Sequence, residues 1–321
     1  MKRALLLGLG ALAVPAPATA AEGTLAFLVE NDSLTLADRH YSSGLALLWT
    51  GRAGWAGRTA DALPFLFQQT GETGAGYTLG QALYTPSDIA DPVPDPADRP
   101  YAGWLFGALD LTRTTPKRLD RLQLSLGVVG PAALGEFSQK LIHRVTGYPE
   151  PKGWGSQIDD EPALLVAFQR AWRPLPPARL GGGLEADFAP HATAALGNVL
   201  TYAGLGATLR FGPDLPDAFG PPRILPATPG SAAFTPVPGF RWHVFLGAEG
   251  RAVARDIFLD GNSFTHSASV DRKPLVGDLQ AGLSLAYLNW RLDVTAVLRT
   301  KQFDGQKGVD RFGALSIAYS Y

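Results

Sequence analysis

The chain has 321 residues, enough for two ordinary soluble domains or for one large all-β domain. Charged residues make up 18%, below the ~25% of an average soluble domain, while 46% are hydrophobic, so this is not a polar disordered chain. With 28 basic against 29 acidic residues, no overall field favours nucleic acid, and the lack of Cys removes disulfides, thiolate metal sites and cysteine nucleophiles.

Lys2 and Arg3 precede an apolar run from Ala4 to Val14, which Pro15 and Pro17 break before Ala18-Thr19-Ala20. This is the layout of a secretory signal cut after about Ala20, and the run is shorter than the ~20 apolar residues a membrane-crossing helix needs. Residues 1–20 are expected to be a signal peptide and 21–321 the exported domain. The longest later uncharged stretch, Phe188 to Leu209, is interrupted by Pro190, His191, Asn198, Gly197, Gly204 and Gly206, so no helical span is expected there.

Alternation replaces the helical span. From Arg291 to Arg299 one face is aliphatic and the other largely polar; Leu122, Leu124, Leu126 and Val128 oppose Arg121, Gln123, Ser125 and Gly127. A period of two predicts strands. A secreted sandwich also alternates, but here one face carries small and charged residues, and aromatics gather at strand ends, as in a barrel with lipid outside and a polar lumen. Strands are predicted at 24–31, 41–51, 76–85, 101–114, 120–130, 161–173, 180–191, 201–212, 240–257, 275–287, 290–303 and 310–321. The predicted fold is therefore all-β, a twelve-stranded antiparallel transmembrane β-barrel with both termini periplasmic. The Pro-rich stretch 213–238 then falls on the periplasmic side, where such connections are usually short, and has no functional account from sequence.

The extracellular connections carry the unusual chemistry. After the first strand, Glu30, Asn31 and Asp32 offer hard oxygens that suit Ca²⁺, or else form a solvated Asn-Asp turn. After the third, Asp88, Asp91, Asp95 and Asp98 lie among prolines, in a cation-binding or simply a rigid exposed loop. After the fifth strand, 133–145 has helical spacing, with Leu134, Phe137, Leu141 and Val145 in one stripe and Gly147 as its stop. Gln139 and His143, four apart, share a face of this short helix and can aim at one substrate atom; His40, His191, His243 and His266 are the rival histidines.

The succession Glu30-Asn31-Asp32, Asp38 to Leu45, Gln81 with Tyr84-Thr85-Pro86, Asp98 to Trp104, Gly127 to Pro131, Gln139 with His143-Arg144 and Gly147, and Gly153-Trp154 with Gln157 resembles the outer-membrane lipid A 3′-O-deacylase (LpxR) family. The resemblance spans about residues 25–162, beyond which the chain matches as generic barrel strands. It implies a Ca²⁺-dependent carboxylic ester hydrolase of the bacterial outer membrane that removes the 3′-linked acyloxyacyl chain from lipid A of lipopolysaccharide. His143 matches the family's catalytic histidine, and Asn31, Asp32 and Gln139 its other polar site positions; Ser42 stands where the family can carry Thr. Asp32, Glu30 and Asn31 are the expected metal ligands. An acidic residue the family uses after its histidine falls here near Pro149, leaving Glu150 as a displaced candidate, and a lysine after the third strand has no counterpart. Arg39, Arg99, Lys140, Arg144 and Lys152 are the candidates for binding lipid A phosphates. His143 is expected to act as general base on water, a Ser42 or Ser43 nucleophile being the rival mechanism. The alternative of another class is a non-enzymatic barrel, a porin or adhesin, although channels usually need ~16 or more strands.

Overall fold

The computed structural model describes residues 22–32, 40–213, 215–216 and 218–321, so the expected signal peptide, 1–20, lies outside the described residues. The strands are β1 (Gly23–Asn31), β2 (His40–Gly51), β3 (Glu72–Thr85), β4 (Ala102–Thr115), β5 (Arg118–Val129), β6 (Glu161–Trp172), β7 (Ala178–Gly181), β8 (Leu184–Gly197), β9 (Leu200–Pro213), β10 (Val237–Asp256), β11 (Leu275–Leu288), β12 (Trp290–Arg299) and β13 (Asp310–Ser320). Sequence neighbours pair antiparallel, and β1 pairs with β13. The last seam closes where β6 pairs with β8. The short β7 is not another stave: it pairs with the first residues of β8, beyond the end of β6, after Pro174, Pro176 and Pro177 interrupt the chain. The barrel therefore has the twelve staves that alternation predicts.

Its two surfaces are reversed relative to a soluble protein. Phe27, Leu47, Leu79, Leu126, Leu164 and Leu205 stand exposed on the outside, whereas Asp110, Arg121, Arg251 and Arg299 are buried in the lumen. The luminal charges satisfy one another, Asp278 taking both Arg299 and Arg251 and Asp110 taking Arg121 at 2.7 Å. An apolar outer wall is stable only in lipid. Aromatics ring the rim that carries the strand ends Gly23 and Ser320, with Trp49 against Tyr77 and Trp290 against Tyr319, and Trp49 Nε1 donates to the Tyr321 hydroxyl at 3.0 Å.

The Pro-rich connection between β9 and β10 turns inward and fills part of the lumen. Ile224, Leu225, Ala227 and Ala232 are buried, and the segment's carbonyls accept from wall side chains: Ala227 from Gln169, Gly230 from Arg121, Ser231 from Arg291 and Pro226 from Arg299. A proline-rich strand of chain donates few backbone N–H groups, so a wall rich in Arg and Gln donors is its complement. Beside it, toward the Gly23 rim, remains a cavity of about 770 Å³ bounded by Thr50, Thr78, Asp110, Arg210 and His243.

Helix α1 (Gly54–Asp61) and the single turn α3 (Ile257–Asp260) were not evident from the sequence; α2 (Gly135–Thr146) follows β5, close to the predicted 133–145. A 3-10 turn, Pro131–Ala133, and a left-handed Leu134 at φ 58° precede it. Gly147, at φ 77°, ends it by donating its N–H to the His143 carbonyl at 2.8 Å, a conformation that favours glycine.

Candidate active site

Helix α2 lies against the outside of the barrel. Gln81 and Leu83 belong to the same face of β3 as Leu79, which is 62% exposed toward lipid. Gln81 Nε2 donates to the Ala133 carbonyl at 2.7 Å, and a Cβ on Gly135 would stand 3.1 Å from Leu83 and 2.6 Å from the Trp154 ring. On β4, a Cβ on Gly103 would stand 3.2 Å from Ala133 and 3.3 Å from Gly135, so two glycines let helix and wall approach closely. Register extends this row: Gly103 pairs with Leu83, Leu83 with Ser43, and Gly44 with Glu30, just before Asn31. The outward positions at this rim are therefore Asn31, Ser43, Leu83 and Gly103.

Gln139 and His143 occupy the wall-facing side of α2 and are buried. His143 Nδ1 lies 2.5 Å from the Pro149 carbonyl oxygen. A carbonyl only accepts, so Nδ1 carries the proton and Nε2 holds the lone pair of the neutral ring. One helical turn earlier, Gln139 Oε1 accepts from Trp154 Nε1 at 2.7 Å. Because an indole nitrogen only donates, this fixes the amide orientation and leaves Gln139 Nε2, buried, with no partner among the described residues. A base and an unsatisfied donor thus sit on one face, four residues apart. Trp154 is held in turn by Tyr101, whose ring is 4.9 Å away.

The remaining predicted residues separate. Asp32 is buried at the end of β1 beside Asn31. Glu30 faces the lumen: one oxygen accepts from Arg223 and the Ile224 N–H, the other from the Tyr41 hydroxyl at 2.8 Å. Its expected role as a metal ligand therefore gives way to a buried ion pair. Arg99, expected at a phosphate, is fully buried with its guanidinium 4.8 Å over the Tyr84 ring, on the inner side of β3, and does not reach the rim surface. Lys140 pairs with Glu136 at 2.7 Å and, like Arg144, lies near Glu150, at 3.8 and 3.6 Å. The hydrogen bond to Glu136, with its charge, holds the Lys140 ammonium above the ordinary lysine range. Lys152 is exposed on the same loop. Arg39 and the side chain of Ser42 lie outside the described residues.

Near the position where the family carries its acidic residue, a backbone group here meets the His143 ring. The Pro149 carbonyl oxygen accepts from the imidazole Nδ1–H, while Glu150 turns to the two cations of α2. No side-chain pattern encodes a carbonyl, and the sequence reading missed it; Trp154 as the acceptor-orienting partner of Gln139 was likewise unassigned.

Asp32 and Asn31 carry hard oxygens of the kind calcium prefers, whereas the Glu30 oxygens accept from Arg223, the Ile224 N–H and the Tyr41 hydroxyl. Among the described residues no three His, Cys, Asp or Glu side chains converge on one point.

A closed twelve-stave barrel, apolar outside and charged within, bearing a buried histidine and glutamine between a loop helix and its outer wall, is an outer-membrane β-barrel with a polar site at its rim. The chain belongs to the outer membrane protein LpxR family, whose model matches residues 5–321. Among solved structures it is similar to LpxR from Salmonella typhimurium, at TM-score 0.77 and 22% identity over 93% of this chain and 100% of that one. The β domain of the Bordetella autotransporter BrkA follows at TM-score 0.48 and 11% identity, over 94% and 100% of the two chains. No curated protein sequence matches the chain.

Proposed function

We propose that this protein is a calcium-dependent lipid A 3′-O-deacylase that hydrolyses the ester of the 3′-linked acyloxyacyl chain of lipopolysaccharide in the outer leaflet. The observation that carries the proposal is the Nδ1 bond from His143 to the Pro149 carbonyl, which leaves Nε2 as the basic nitrogen of the neutral ring, on the same helix face as the Gln139 amide that has no partner among the described residues. That helix face is on the lipid side of the barrel wall, where an acyl ester of a membrane lipid lies.

In the proposed reaction His143 Nε2 takes a proton from water as the water oxygen bonds to the ester carbonyl carbon. The Gln139 Nε2–H donates to an oxygen of the tetrahedral intermediate or aligns the water, a bond that its burial strengthens. The bond from the tetrahedral carbon to the sugar oxygen then breaks, and the proton on Nε2 passes to the departing sugar oxygen. The products are the free acyloxyacyl acid and lipid A with a free 3′-hydroxyl. Asp32 and Asn31 would hold the Ca²⁺, which supplies positive charge for the oxyanion. Lys140, Arg144 and Lys152, with Glu150 among them, form the charged edge offered to lipid A phosphates; Lys140 and Arg144 are shared with Glu150, which lowers their attraction for an anion.

Mass spectrometry of lipid A from cells with and without the protein tests the activity directly: loss of the 3′-linked chains is expected. Unchanged lipid A, together with conductance in planar bilayers, would favour the non-enzymatic barrel instead. An acyl-enzyme mass on Ser42 or Ser43 would replace the water mechanism by a covalent one.

A further inference from the structure

We infer that α2 is seated in the membrane: its stripe of Leu134, Phe137, Leu141 and Val145 rests among the acyl chains of the outer leaflet around the barrel. The first ground is that the helix's amphipathicity is reversed. A loop helix in water turns its apolar stripe to the protein and its polar side to solvent. Here Gly135, Gln139 and His143 face the wall. At ~100° per residue, Phe137 and Leu141 lie about 160° from Gln139, on the far side. The stripe is accordingly open, with Leu134 56%, Phe137 67%, Leu141 49% and Val145 70% exposed, and Tyr148 continues it past the helix end. Four large apolar residues in one contiguous stripe on a soluble surface mark an interaction site.

The second ground names the occupant. The helix is not over the lumen but on the outer wall, resting on Gly103 and Leu83, and the strand face beneath it continues down β3 through Gln81 to Leu79 and Tyr77, both turned outward. Leu79 pairs with Gly107, which pairs with Leu126, which pairs with Leu164, a lipid-facing row that circles the wall two outward positions below the helix. The apolar stripe is thus an upward continuation of the lipid-facing wall. The helix's charged residues are confined to one edge, where Glu136, Lys140, Arg144 and Glu150 neutralise each other, an arrangement suited to headgroup depth with long stems lying over apolar surface.

The chain has no Cys, so single-cysteine variants report one site each. Phe137→Cys and Val145→Cys, carrying an environment-sensitive fluorophore and reconstituted in phosphatidylcholine vesicles, are compared with Leu79→Cys in the lipid-facing wall and Lys307→Cys, exposed in the connection between β12 and β13. Folding of each is checked by heat-modifiable migration. Labels at 137 and 145 are expected to emit at the blue-shifted wavelength of 79 and to be quenched several-fold by doxyl-labelled phosphatidylcholine, while 307 is not. Water-like, unquenched emission at 137 and 145 overturns the inference. So does a blue shift without lipid quenching that vanishes at low protein-to-lipid ratio, which would assign the stripe to a second copy of the chain. No arm depends on deacylase activity.

Discussion

Arg223, from the Pro-rich connection, meets Glu30 near the opposite rim of the barrel, one residue before Asn31. A periplasmic segment thereby reaches through the lumen to the floor beneath the proposed site. The same carboxylate takes the Ile224 N–H at 3.1 Å and the Tyr41 hydroxyl, and Tyr41 packs edge-on against Phe312. The segment that looked superfluous for a periplasmic turn is an internal strut.

Breaking a buried pair from one side leaves an uncompensated charge and costs ~3–5 kcal/mol, whereas replacing both partners is far milder. Arg223→Met should therefore lower the temperature at which the folded band converts to the unfolded one on SDS gels, and Arg223→Met with Glu30→Gln should recover most of the loss. Equal destabilisation by the single and double variants would mean that the pair does not hold the strut.

The metal proposal separates Asp32 from Glu30. Chelation with excess EDTA should abolish lipid A deacylation and Ca²⁺ should restore it. Asp32→Ala should imitate chelation in a barrel that stays heat-modifiable, while Glu30→Gln should act on stability and leave the calcium dependence of the remaining activity intact. Full activity in excess EDTA removes calcium from the mechanism, and a weakened apparent calcium affinity in Glu30→Gln returns that residue to the ligand set.

How much of this the sequence carried follows from which signals are periodic. Twelve staves were legible because each alternates between lipid and lumen, as at Leu122 to Val128, and the α2 helix was legible from the spacing of Leu134, Phe137 and Leu141. The strut has no period, so its inward course depends on partners far away in the chain, such as Arg121 and Glu30. The three short extra elements, α1, β7 and α3, are too brief for a pattern. At the site, the pairing of Gln139 with His143 was legible, since i and i+4 share a face. Their position outside the wall was not, because alternation tells which strand residues face outward but not on which side a loop folds back. Arg99 and Glu30 look like available charges in sequence and prove buried once Tyr84 and Arg223 close over them.

Gln139 offers a substitution that separates its two bonds. Gln139→Glu retains an oxygen for Trp154 Nε1 but deletes the amide donor that has no partner among the described residues. If that donor meets an oxyanion, kcat should fall by the ~10²–10³-fold typical of one lost oxyanion donor, with KM little changed. Gln139→Leu loses both bonds and should also disturb the Trp154 packing. Wild-type kcat in Gln139→Glu would reduce the residue to a support for Trp154.

The catalytic assignment depends most on His143. Substitution by Ala or Gln keeps good helix formers in α2, and the position lies outside the strands, so the barrel should assemble and migrate normally. General-base catalysis contributes ~10²- to 10⁴-fold, and release of the 3′-linked chains measured by mass spectrometry should fall by at least the lower bound. His266, in the connection between β10 and β11, is the clean control and should be silent. His191 is a poor one, since its Nε2 lies 3.2 Å from Glu249 inside the barrel and its loss should affect stability. His40 begins β2, just before Tyr41 and Ser42, and is the informative rival. A severe defect in His40→Ala beside a mild one in His143→Ala would move the base there, and near-normal deacylation by both would reject histidine base catalysis.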